Sequence, residues 1–559
     1  MSAAPLPKPA GVARTPDVDV LLVGLGPVGA AMANLLGRQG VKVLAIDMAT
    51  EIYTAPRAIA LDNEALRILQ MAGVGEQDFA TVAIPQVQMH SPMFGRFARM
   101  NTAGQLDGHP MLVTFYQPEL EAVLRKKLEL YPHVQVALGT ALESFEDDGA
   151  GVSAQLRDCT GHVSQVRAKY LVATDGANSN VRKALGLDFK GETFGQEWLV
   201  VDAKGVPNPI DHIEFLCDPV RPAPHMVAPG GRQRWEFMLQ PGETREEMER
   251  PETVKRLLAP WANSDEIEIE RTAVYRFHAR VADRFSIGRC FLAGDAAHIT
   301  PPFAGQGLVA GLRDVANLSW KLAWVLKQRA SANILESYHR ERQPHAREII
   351  GLALLMGRLV MPPNRLKAFL IHGFMSLLRL VPAGRALFED LKIKPQNTFK
   401  KGLFTKLPYG KKLLAGSTFP QCFVRKSDTG AVVLSDEVLG QHLTLLAFGT
   451  PVEQLLSAPL QHQWQARGGA LLQWCTRGQA LHLSAPERRV EILDDLLSSR
   501  GIPLGWVAIV RPDRTVLCEG PAEQAPALVA EAFQLLGEPD ATQASQYRSG
   551  PVALAATST

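Results

Sequence analysis

The sequence predicts an α/β fold: a doubly wound parallel sheet, a β-rich domain inserted into it, and a smaller α/β domain at the C-terminal end. Three observations lead there. A mainly apolar run, Val18–Val23, broken only by Asp19, enters Gly24-Leu-Gly26-Pro-Val-Gly29 and then an apolar-periodic helix. A second short apolar run, starting at Cys290, enters Gly294-Asp295 and, after Pro301-Pro-Phe-Ala-Gly-Gln-Gly307, another long helix. Between about 185 and 281 the texture changes to strand-rich sequence with polar, Pro-containing turns.

Apart from Asp19, Val18–Val23 has the apolarity of a strand buried on both faces. Pro27–Gln39 follows as a helix, with Pro in its first turn and Gly40 at its end. Val41–Ile46 is a second parallel strand closing on Asp47, which completes a βαβ unit. Glu64–Met71 and Pro118–Leu128 read as helices, and Val134–Leu138 as a strand. Val152–Leu156 and Val163–Val166 alternate as a hairpin around Gly161, and Tyr170–Thr174 returns to the buried-strand pattern. Leu308–Gln328 and Ile334–Leu355 are long helices. Pro362, Pro363, Pro382 and Pro408 punctuate a linker, after which short strands alternate with helices again. The expected organisation is therefore 17–77, 110–184 and 282–345 in the doubly wound domain, with 78–109 and 185–281 in the inserted one. A helical linker at 346–414 precedes a C-terminal domain at 415–545. Residues 1–16, rich in Ala and Pro and without an apolar core, are expected to be a disordered leader.

A chain of 559 residues suggests about two to four domains. The net charge of +2 and the lack of a basic block argue against a nucleic-acid partner. Six Cys are scattered without a C-x-x-C pair, so neither a metal site nor a dithiol couple is indicated, and a reducing cytoplasm is expected. The apolar stretches Gly351–Met361 and Leu366–Val381 are interrupted by Arg358, His372 and Arg379, short of the ~20 residues of a membrane span. They read as buried or interface helices, and a homodimer is an expectation.

The motifs carry chemistry. In Gly24-x-Gly26-x-x-Gly29, the first Gly makes a tight turn, the second lets a pyrophosphate approach the backbone, and the third packs helix on strand. Asp47 is placed to accept hydrogen bonds from ribose hydroxyls. Asp175-Gly176 ends a strand and leads through Ser179 to Arg182 in a helix. Gly294-Asp295 offers a carboxylate for a polyol hydroxyl. The turn Gly305-Gln306-Gly307 opens a helix whose free N–H groups and positive end suit an electron-rich ring.

Together, GxGxxG, the DGxxSxVR turn and GDAAHxxPPxxGQG resemble the class A flavoprotein aromatic hydroxylases, built on the para-hydroxybenzoate hydroxylase fold. Pro56–Arg67, Cys217–Pro222, Trp235–Met238 and Val510–Arg514 are similar to the branch acting on 3-(3-hydroxyphenyl)propionate. The resemblance implies a Rossmann-like FAD-binding domain, a β-rich substrate domain and a thioredoxin-like C-terminal domain without redox Cys. It implies non-covalent FAD held by Gly24, Gly26, Gly29, Asp47, Arg57, Gln117, Asp175, Gly176, Gly294, Asp295, Gly305, Gln306 and Gly307. It also implies NADH or NADPH as co-substrate and molecular oxygen captured as a C4a-hydroperoxyflavin, which hydroxylates a substituted phenol ortho to its hydroxyl. The sequence departs from many members in lacking Asn two residues after Gly307, and in having Asp47 where Glu is common.

Pro301 is expected to line the reaction cavity, and Tyr275 and His225 are candidates for handling the phenol proton. His212, His278 and Tyr116 are alternatives. Arg221 and Arg234 are candidates for a substrate carboxylate. The first substrate expectation is a 3-(3-hydroxyphenyl)propionate or 3-hydroxycinnamate type in aromatic catabolism. Larger phenols such as flavonoids or polyketide aromatics, a non-hydroxylating FAD dehydrogenase or oxidase, and a non-catalytic binding protein are the competing readings. A flavin halogenase is disfavoured because its W-x-W-x-I-P segment is absent.

Overall fold

The computed structural model describes residues 17–54, 58–261, 267–382, 395–408, 412–479 and 486–539. The expected leader, 1–16, lies outside them. The first sheet is parallel at its centre, in the order Val134–Leu138, Val43–Asp47, Val18–Val23, Val163–Ala173, Cys290–Leu292. Every residue of Val18–Val23 is buried, as helices on both faces require. The helix Pro27–Arg38 packs between Gln117–Lys127 and Gly307–Leu326. The last of these is buried from Val309 to Leu326, with its charged residues Arg313, Lys321 and Asp314 each held in a buried ion pair. A Cβ on Gly311 would lie 2.7 Å from Val28 Cγ2 and 3.1 Å from the Gly294 Cα. This close approach joins the N-terminal Gly-rich turn to the Gly294 turn.

Two expected strands prove to be one. Val163–Ala173 is a continuous strand of 11 residues, antiparallel to Val152–Asp158 in its first half and parallel to Val18–Val23 in its second. Arg167 and Lys169 read as a break in the sequence. In the fold they are neutralised by Asp148 at 2.7 Å and Asp19 at 2.9 Å, so the strand passes through them. The helix beginning at Glu336 likewise runs on to Val360, with Pro344 inside it.

The second sheet has eight strands, ordered His298–Ile299, Glu268–Ala282, Phe189–Lys204, Arg232–Met238, Ala223–Ala228, Ile213–Leu216, Gln86–Ser91 and Gly95–Asn101. Gln86–Ser91 pairs in parallel with Ile213–Leu216, so two segments far apart in sequence share one sheet. Alternation gives it two faces. Leu199, Val201, Trp235 and Phe237 form an apolar core with Val254 and Leu258. The opposite face looks towards the first domain.

The C-terminal sheet has seven strands, with Leu443–Phe448, Gly469–Cys475 and Arg489–Ile492 parallel at its centre and antiparallel strands outside. This mixed α/β arrangement is compatible with the thioredoxin-like expectation. Buried ion pairs dock it on the first domain. Arg511 donates from both terminal nitrogens to Glu341, at 2.8 and 3.0 Å, and Lys321 Nζ donates to Glu341 Oε2 at 2.7 Å. Arg67 grips Asp436 at 2.7 Å through Nε and Nη2.

The helix Arg365–Leu378 buries Ala368, His372 and Met375, while Leu366, Phe369, Leu370, Phe374 and Leu377 are exposed. No helix among the described residues is long and apolar enough to cross a membrane.

Candidate active site

The first and third glycines of the Gly-rich turn leave no room for side chains. Gly24 has φ +97°, and a Cβ there would lie 2.5 Å from the Thr174 carbonyl oxygen, while one on Gly29 would lie 2.1 Å from the Gly24 oxygen. At Gly26 a Cβ would meet nothing within 4 Å. The backbone at Gly26 thus borders open space at the positive end of Pro27–Arg38, as a pyrophosphate requires. Asp47 accepts from Leu25 N at 2.7 Å and Ala49 N at 2.8 Å. These bonds fix its carboxylate beside the turn and leave lone pairs for ribose hydroxyls. Arg125 Nε donates to the Leu25 oxygen at 3.1 Å, and its guanidinium pairs with Glu121 at 2.8 Å. Sequence reasoning missed this cation. Its signal was the i, i+4, i+8 spacing of Gln117, Glu121 and Arg125 on one helix face.

Asp175 accepts from Val181 N at 3.2 Å through Oδ2, while Oδ1 is buried without a hydrogen-bond partner among the described residues. Burial raises its carboxyl pKa. An orphaned buried oxygen of this kind is what a ligand hydroxyl or amide would satisfy. Ser179 caps the next helix by accepting from Arg182 N at 3.0 Å. Arg182 then donates to Ala296 O at 2.7 Å and Ala177 O at 2.8 Å, tying the Asp-Gly turn to the turn that carries Asp295. That second turn hangs on Asp314, which the sequence reading also missed. Asp314 Oδ2 accepts from Gly294 N at 3.0 Å and bonds His298 Nε2 at 2.7 Å, while Oδ1 accepts from Arg342 at 2.9 Å. Burial alone would raise the Asp314 pKa, but His298 and Arg342 hold it below the usual carboxylate range.

One cavity of about 790 Å³ connects these turns to the second sheet. Gly26, Gly176, Asp295 and Gly305–Gly307 line it on one side, and Val200, Glu236 and Tyr275 on the other. Gly305 takes the left-handed conformation at φ +61°, and Gly307 opens the buried helix. Gln306 lines this cavity. Its side chain is spent on a buried network, accepting from Arg313 at 3.0 Å and donating to Asp62 at 3.2 Å. Gln117 lines the cavity with its carboxamide oxygen taken by Ala58 N at 3.2 Å, which leaves the amide nitrogen as a donor. Arg57 lies outside the described residues.

Of the catalytic candidates, Pro301 and Tyr275 line the cavity and His225 does not. Pro224 and Met226 face it, so the alternation of that strand turns His225 to the far side. There His225 stacks on Trp235 with ring centroids 4.5 Å apart, and Nδ1 bonds Glu214 at 3.0 Å. Tyr275 accepts from Arg271 through its hydroxyl, and burial raises its phenol pKa, so it enters as a protonated group rather than a base. His278 also lines the cavity and bonds Thr193 at 3.0 Å. Arg221 is paired with Glu243 outside the cavity lining, and Arg234 with Asp202.

The model of the FAD binding domain family matches residues 17–353. The chain belongs to this family. A HcaD C-terminal domain matches residues 416–535. Among curated relatives, a 3-(3-hydroxy-phenyl)propionate/3-hydroxycinnamic acid hydroxylase of Comamonas testosteroni is 33% identical over 94% of this chain and 98% of its own. One from Klebsiella pneumoniae strain 342 is 35% identical over 90% and 93%. Among solved structures, the flavin-dependent monooxygenase PieE, in complex with FAD and substrate, superposes with TM-score 0.76 at 22% identity, covering 93% of this chain and all of that one. The p-nitrophenol 4-monooxygenase PnpA from Pseudomonas putida DLL-E4 is 26% identical with TM-score 0.62, over 69% of this chain and 99% of its own. The first of these likenesses shows the fold, and the curated relatives extend the family relation across the C-terminal domain.

Proposed function

We propose that this protein is a flavin-dependent aromatic monooxygenase that hydroxylates a substituted phenol ortho to its hydroxyl. It would use FAD, NADH or NADPH and molecular oxygen in the cytoplasm, on a 3-(3-hydroxyphenyl)propionate or 3-hydroxycinnamate type of substrate. The observation that carries this reading is the single cavity running from the glycine turns and Asp295 to the face of the second sheet. The names of the curated relatives support the substrate type.

Bound FAD would supply the activated oxygen. Gly26, Asp47, Gly176 and Asp295 fit its phosphates and hydroxyls, and Gly305–Gly307 fit the edge of its ring. The positive end of Gly307–Leu326 favours negative charge on a reduced ring. Pro301 has no N–H, so its backbone offers only a carbonyl, an acceptor for the phenol hydroxyl. Tyr275, held protonated, orients a ring oxygen by hydrogen bonding. The apolar lining of Met226, Phe277, Phe303 and Leu308 keeps water from the reacting atoms.

The test is incubation of the FAD-loaded protein with 3-(3-hydroxyphenyl)propionate, NADH or NADPH, and isotopically labelled oxygen. A catechol product carrying one labelled atom is expected. Coenzyme oxidation that yields only peroxide, with every phenol recovered unchanged, would instead establish an oxidase.

A further inference from the structure

Glu236 is a buried carboxyl on the cavity wall with no hydrogen-bonded partner among the described residues. It lies on the strand Arg232–Met238 and lines the cavity while only 7% exposed. Its neighbours Trp235 and Phe237 belong to the apolar core on the far side of the sheet, so the alternation of the strand turns Glu236 inward. The charged and titratable groups around it are bonded to one another. Arg234, on the same strand, forms a two-pronged pair with Asp202 at 2.6 and 2.9 Å. Arg271, from Glu268–Ala282, donates to Asp202 at 3.3 Å and to the Tyr275 hydroxyl. The adjoining strand Ala223–Ala228 presents Pro224 and Met226 to the cavity. No hydrogen bond or ion pair joins Glu236 to a described residue. A polar group left buried and unpaired is costly, so this carboxyl is disposed for something that enters the cavity.

We propose that Glu236 is a specificity-determining contact for the substrate: its carboxyl donates a hydrogen bond to an oxygen on the side chain of the aromatic ring. The identity of the reaction rests on the reading above. The strand His298–Ile299, which leads into Pro301, is three places from Arg232–Met238 in the sheet. At ~4.8 Å per step this is roughly 14 Å. A phenol with its hydroxyl near Pro301 therefore reaches Glu236 only through a side chain of several atoms. Burial, reinforced by Asp202 and opposed by Arg234 and Arg271, raises the Glu236 pKa. In its neutral form the carboxyl meets a carboxylate or carbonyl oxygen without like-charge repulsion.

The experiment compares binding of 3-(3-hydroxyphenyl)propionate and 3-ethylphenol to the FAD-loaded protein, followed by flavin absorbance so that no turnover is needed. Glu236→Ala should weaken the acid by ~10-fold or more, the scale of a hydrogen bond to a charged group, and leave 3-ethylphenol within about twofold. Glu236→Gln keeps a donor and should retain most of the affinity. Wild-type affinity for the acid should fall as pH rises through the Glu236 titration, whereas the Gln variant should show a flat profile. Equal weakening of both ligands in the Ala variant, no preference for the acid in the wild type, or a Gln variant that behaves like Ala would each overturn the proposal. A failure of the hydroxylation reading shows separately, as wild-type binding without oxygenated product.

Discussion

At the scale of single residues, the glycines and Asp295 were legible because their types are constrained by chemistry that shows in sequence. Gly24→Ala places a Cβ at φ +97° against the Thr174 carbonyl, and should abolish FAD retention or lower the melting temperature sharply. The strain alone is about 1–2 kcal/mol, and thermal denaturation with and without added FAD measures it. Asp295→Ala should weaken FAD ~10–150-fold, the equivalent of one charge-assisted hydrogen bond; an unchanged flavin titration would remove Asp295 from the site. Five of the six thiols are buried, and Cys159 alone is exposed. Burial pushes Cys290 up to about 12 and Cys475 to about 11. One thiol per native chain should therefore react promptly with a thiol reagent, and the other five only after unfolding. Glu236, Arg125 and Asp314 were not legible. Period-two alternation shows that Glu236 opposes Trp235 and Phe237, but not that its face borders a cavity. Asp314 resembles any helix carboxylate until His298 and Arg342 are folded against it.

At the scale of elements, the Gly307–Leu326 helix was read nearly to its ends because its burial is uniform. The Val163–Ala173 strand was read as two, because neutralising partners for Arg167 and Lys169 are invisible locally. The helix Glu336–Val360 carries Glu341, which faces Lys321 and Arg511. Burial alone would raise the Glu341 pKa, yet Arg511 and Lys321 hold it well below its ordinary value. The folded state thus binds this proton less readily than the unfolded one. The resulting stability is present above the unfolded pKa of about 4.5 and is lost as pH falls below it. Glu341→Gln should cost about 3–5 kcal/mol at neutral pH and flatten the acid limb of the stability curve, read by denaturant titration between about pH 3 and 7.

At the scale of the whole molecule, composition and texture showed three units, but not that 86–101 joins 213–216 in one sheet. Nor did they show how the C-terminal unit is fastened. Arg511 and Arg67 reach across that boundary to Glu341 and Asp436, so a chain ending before residue 415 leaves Lys321–Glu341 and Arg67 facing water or apolar surface. Such a truncation should aggregate or melt well below the full chain, whereas an independently stable first domain would keep its melting temperature. The contact of Gly311 with Val28 and Gly294 also bears on synthesis. About 270 residues separate its two sides, and at ~5–20 residues per second a ribosome needs roughly 15–50 s to make that span. For that interval the first βαβ unit waits without the helix that covers it, and the cofactor seat is incomplete. Flavin capture is therefore a late event: nascent chains stalled before residue 300 should not retain FAD, and chains released at full length should.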